Sequence, residues 1–121
     1  MEDSILISTK KILGVSEDYP VFDLDITTHI NAAFSFLHQL GIPEDGFFIE
    51  DETDLWSEIP GLIPTQLNLV KTYVYLKVRS LFDPPTTSFL IEATSNQIKE
   101  IEWRLNVSRE NSLPEVAPSW Q

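Results

Sequence analysis

The chain has 121 residues, a formal net charge of −11 from 8 basic and 19 acidic side chains, 42% hydrophobic residues and no cysteine. That length is one ordinary domain, able to bury roughly two-thirds of its unfolded surface, and the apolar fraction sets wholesale disorder aside. The missing cysteines exclude disulfides, thiolate zinc sites and thiol nucleophiles, and the acidity argues against tight binding to a phosphate backbone. The opening "MEDSILISTKKIL" is acidic first and basic later, the reverse of a signal peptide, and no apolar run approaches the ~18 residues of a membrane span.

A first helix is predicted over residues 4–13. Asp3 or Ser4 can cap it, Ile5, Leu6, Thr9, Ile12 and Leu13 share one side, and Gly14 is placed to end it. Asp23 is the predicted cap of a second helix over 23–40. Ile26, Ile30, Ala33, Leu37 and Leu40 form its stripe, with Asn31, Ser35, His38 and Gln39 opposite. Residues 42–65 then lose all long periodicity to three prolines and two glycines. Phe47–Phe48–Ile49 suggests a short strand, and Thr53 could cap one helical turn carrying Trp56. A loop this long in a small domain is usually functional or mobile rather than idle.

The third predicted helix, 65–82, is apolar on two sides. Leu67, Val70, Val74, Val78 and Leu81 share one face, and Leu69, Tyr73 and Leu76 lie nearly opposite. Two apolar faces need two covers. The second cover is either a neighbouring subunit or the remaining helices. Asp83-Pro84-Pro85 stops this helix, since proline cannot continue it and pushes the residue before it out of the α region. Thr87 or Ser88 then caps a fourth helix, 88–106, whose narrow stripe is Leu90, Ile98, Ile101 and Leu105, with Trp103 well off it near the side of Phe89. Glu100 and Arg104 form an i,i+4 pair. The expectation is an all-α domain of four helices over 1–106, with a long acidic loop, and an extended tail over 107–121.

Catalytic signatures do not emerge. His29 and His38 stand nine residues apart on one helix, about 180° around it, so they cannot share a metal or a proton. Asp25 and His29 are i,i+4 and within reach of each other. The "EDETD" run fails the EF-hand spacing from either Asp45 or Asp51, and no glycine-rich phosphate loop or G-x-S-x-G motif occurs. The residues point to no enzyme, no cofactor and no metal.

Three features remain for contact surfaces. Trp is enriched at interface hot spots. Trp103 either packs on the first helix or faces a partner, Trp56 either anchors the long loop or faces a partner, and Trp120 either hangs free or docks. With Tyr73 and Leu76, Trp103 and Trp120 form the candidate protein interface. Asp83, Pro84 and Pro85 fix the angle between two helices. Glu44, Asp45, Glu50, Asp51, Glu52 and Asp54, in a stretch without any Lys or Arg from Ile12 to Val70, form either a solvated loop or a partner-facing surface.

"VKTYVYLKVRSLFDPPTTSFLIEATSNQIKEIEWRLNV" resembles the third and fourth helices of the small head–tail connector (adaptor) proteins of long-tailed bacteriophages. "DLDITTHINAAFSFLHQLGI" followed by "GFFIEDETDLW" resembles their preceding half. The resemblance spans roughly Asp3 to Val107. It implies a structural protein of the virion neck, made in the host cytoplasm, with no membrane role. It further implies a homo-oligomeric ring, commonly twelvefold, beneath the portal protein. Such a ring extends the DNA channel, meets the next neck or tail-completion protein, and lets DNA pass without tight binding. The residues alone also fit another reading: a small helical binding module or regulator that docks a partner through its acidic loop.

Overall fold

A computed structural model describes residues 3–112, with side chains over 3–108. The order of elements is α1 (Ile5–Leu13), α2 (Asp23–Gln39), a 3-10 turn (Trp56–Glu58), α3 (Pro64–Phe82) and α4 (Ser88–Ser112). The domain is all-α. Among the described residues the nearest thing to a sheet is one isolated antiparallel bridge between Ser4 and Leu55.

The helix boundaries follow local chemistry. Ser4 caps α1 by accepting the Ile7 N–H at 3.2 Å, and Gly14 ends it in the left-handed region at φ 78°. Asp23 is not the cap of α2. Phe22 holds that position, and Asp23 is the first helical residue, where its charge still suits the helix dipole. Pro64 opens α3, its missing N–H costing nothing at a helix start. After Phe82 the chain turns through Asp83 (φ −137°, ψ 75°) and the two prolines, and Thr87 Oγ1 then accepts the Leu90 N–H at 3.2 Å.

Two sequence expectations need correction. Phe47–Ile49 forms no strand. The amide of Asn31 on α2 serves as its partner, taking the Ile49 N–H at 2.7 Å and donating to the Ile49 carbonyl at 2.9 Å. Residues 107–112, expected in an extended tail, are helical, because α4 continues through Ser112, and the rest of that expected tail lies outside the described residues. Trp120 lies outside the described residues.

The core gathers Ile5, Ile26, Ile30, Phe34, Leu37, Trp56, Val70, Val74, Val78 and Leu105. Helix α3 packs on α1, α2 and α4 and is the element they share. The chain's own helices cover the middle of both apolar faces, burying Val70, Val74 and Val78 on one and Tyr73 on the other, while Leu81 stays exposed. Phe22 against Phe82, 5.3 Å between ring centres, ties the start of α2 to the end of α3.

Candidate partner-binding surfaces

Tyr73 belongs to the interior, which corrects its place in the candidate interface. It is 0% exposed, and its hydroxyl donates to Glu102 Oε2 on α4 at 3.0 Å. Burial, followed by the hydrogen bond and charge of Glu102, pushes its pKa well above the tyrosine norm. Leu76 is half-buried. Trp56 is the loop anchor. Fully buried, it donates its indole N–H to Ser8 Oγ at 2.9 Å and meets the Tyr75 ring edge-on at 5.7 Å. Thr53 does not cap its turn; the Glu58 carboxylate does, accepting the Leu55 N–H at 2.8 Å.

Trp103 stands in the open at 65% exposure and does not pack on α1. Phe89, 78% exposed, lies on the same outward side of α4, 14 positions away, or about 21 Å of helix. Leu90 and Ile91 are also exposed, so the first turns of α4 stand clear of the core that Ile101 and Leu105 join further along. A groove of about 480 Å³ runs along the corner between α3 and α4, lined by Lys77, Pro84, Pro85, Ile91, Ile98 and Lys99. A second apolar patch, Tyr19, Val21 and Leu24, covers the entry to α2.

The acidic loop divides in two. Asp51, Asp54 and Glu58 hold the loop's own backbone. Asp54 Oδ2 accepts the N–H groups of Glu50 at 2.6 Å and Asp51 at 3.2 Å, and Asp51 Oδ1 accepts the Thr53 hydroxyl and N–H at 2.5 and 2.8 Å. Those bonds, the hydroxyl first, hold the Asp51 carboxyl below its ordinary range. Glu44, Asp45, Glu50 and Glu52 are exposed on the surface.

Two working residues escaped the sequence reading. Lys10 is 1% exposed. Its Nζ donates to the carbonyls of Glu17 at 3.0 Å and Tyr19 at 2.9 Å and pairs with Asp23 at 2.8 Å, pinning the α1–α2 connector. The Asp23 contact is an ion pair without hydrogen-bond geometry, since Oδ1 has no angled donor. A signal existed: Lys10 falls about 40° from Leu6 on the helical wheel, at the edge of the apolar face. Asn31 gave none, because its partner is 18 residues away.

The histidines stay apart. His38 rests on Gly46, where an added Cβ would come within 3.1 Å of its ring at φ +81°. Among the described residues the ion pairs are Lys10–Asp23 and Glu100–Arg104, so Asp25 and His29 do not join, and no three His, Cys, Asp or Glu side chains converge as metal ligands. No described helix is long and apolar enough to cross a membrane. What the surface offers is apolar flanks on separate elements.

A family model described as phage connector protein matches residues 5–112. The chain belongs to the phage connector protein family. The match takes in all four helices, the acidic loop and the corner, so the flanks above lie on the connector domain itself. A connector is a structural protein of the phage virion, and membership implies contacts with portal and tail proteins. No curated protein and no solved structure gives a match to this connector.

Proposed function

We propose that this connector acts without catalysis, as a head–tail adaptor: copies form a ring, twelvefold in the simplest case, beneath the portal, extend the DNA channel, and present a surface to the next neck protein. The observation that supports the reading best is the exposed outward face of α4, with Phe89 and Trp103, on a domain whose family match spans all of its helices. A monomer gains nothing by leaving two large aromatics in water, and such residues are typical interface anchors. The Asp83–Ser88 corner sets the angle between α3 and α4, and a ring closes only when each copy presents its two faces at a fixed rotation. Exposed Glu44, Asp45, Glu50 and Glu52 would repel a passing phosphate backbone. The binding-module reading is weaker, since Asp51, Asp54 and Glu58 are engaged in shaping their own loop. Electron microscopy of the purified chain mixed with its phage's portal protein is the test. A ring seated on the portal is the expected result; a chain that never joins the portal overturns the assignment.

A further inference from the structure

We propose that the groove beside α1 receives the Trp103 face of α4 from a second copy of this chain, in a head-to-tail contact. The proposal rests on the ring reading and names the surfaces that join its copies. The groove, about 770 Å³, is lined by Ile7, Lys11, Ile12, Val15, Glu17 and Tyr75.

Knob and groove lie on opposite flanks. Tyr73 and Tyr75 point about 200° apart around α3. Tyr73 reaches α4 through Glu102, whereas Tyr75 meets Trp56, which is bonded to Ser8 of α1. Trp103 in turn points about 200° away from buried Ile101 and Leu105, hence outward from α4. With the two on opposite flanks of α3, a chain cannot fill its own groove, but its neighbour can. Because the two surfaces differ, the contact is heterologous and repeats around an axis instead of closing as a twofold dimer.

Charge agrees with this docking. Trp103 is flanked by Glu100 and Arg104, and the groove carries Lys11 and Glu17, one charge of each sign on each side. Area sets the strength. One or two aromatic anchors bury about 150–250 Å² each, well short of the ~800 Å² per partner of a stable pair. Single joints are therefore weak, and closure of the ring or a template holds them together.

The cysteine-free sequence permits a clean test. Ser16 on the groove and Glu100 beside Trp103 are both exposed, so Ser16→Cys and Glu100→Cys leave the core and the Trp103 anchor intact. At high protein concentration with a short bismaleimide, each single variant stays monomeric, their mixture gives one dimer, and the double variant gives a ladder. Trp103→Ala weakens self-association about tenfold in sedimentation, the ratio expected for a modest hot spot. A mixture that does not cross-link, or single variants that dimerise as well as the mixture does, overturns the proposal. Rings forming normally on the portal with Trp103→Ala would remove this contact and leave the ring reading standing. Cross-linking without any ring on the portal would do the reverse.

Discussion

Replacing Trp56 by Ala should cost this domain a large share of its stability. The indole is fully buried between Phe34, at 6.3 Å between ring centres, and Tyr75, and it bonds Ser8. A buried Trp removes up to ~250 Å² from water, about 6 kcal/mol at 25 cal/mol per Å². A realistic unfolded chain already hides part of that area, which brings the figure to about 4–5 kcal/mol. Losing the hydrogen bond adds about 1 kcal/mol, and partial collapse of the cavity returns some. The expected loss is therefore about 4 kcal/mol, against the 5–15 kcal/mol typical of a whole domain. Urea unfolding followed by circular dichroism at the helical band reads it directly. Trp103→Ala is the control, with an expected change within about 0.5 kcal/mol because that side chain touches little. If the two variants unfold at the same urea concentration, Trp56 does not anchor the loop and the account of residues 42–65 is wrong.

Tyr73 makes stability sensitive to base. Its folded pKa is raised, so its contribution is complete below its ordinary 10.0 and is lost as pH climbs from there toward the folded value. Tyr73→Phe should flatten the decline in urea midpoint expected of the native chain between pH 10 and pH 12. The depressed Asp51 works at the other end: its share holds above the ordinary 3.8 and is lost as pH falls through the lower folded value, so loop proteolysis by pepsin should rise only in that acid range. Lys10→Met orphans two carbonyls and the Asp23 carboxylate, and should cost about 3 kcal/mol, the low end for a broken buried pair because Asp23 is 38% exposed; chemical unfolding measures it. Pro84→Ala with Pro85→Ala should keep the helical signal while weakening portal binding about tenfold, since each helix has its own stripe but the angle depends on the prolines.

The elements were legible wherever a signal was local. Ser4, Gly14 and Thr87 each act within a few residues of themselves, and each caps or ends a helix as its side chain and position dictate. Asp23 misled because a carboxylate at the first helical position has the same composition signature as one at the cap. The end of α4 misled for another reason. Apolar periodicity fades after Val107, yet a helix persists until something stops it, and no Pro or Gly falls between Ser108 and Ser112. Tyr73 and Asn31 were beyond the reach of sequence. Whether the second face of α3 meets α4 or a neighbour depends on how the corner folds, and the bond from Asn31 to Ile49 depends on where the long loop lands. Among the candidate surfaces, exposure separated two tryptophans that composition treats alike: Trp56 turns inward and Trp103 outward.

Three of the chain's eight cations are engaged at home. Lys10 is locked onto the α1–α2 connector, Lys71 lies 5.8 Å from the Trp56 ring, and Lys77 lies 4.3 Å from the Phe36 ring. Held there, these three do little to neutralise a neighbour's carboxylates. Copies gathering at −11 each repel one another, and dissolved ions damp that repulsion. At 0.01 M salt that repulsion reaches about 30 Å, the width of a small domain; at physiological strength it shrinks to about 8 Å, little more than the gap between touching faces. Ionic strength thus becomes a control on when such copies can pack side by side, independent of any contact residue.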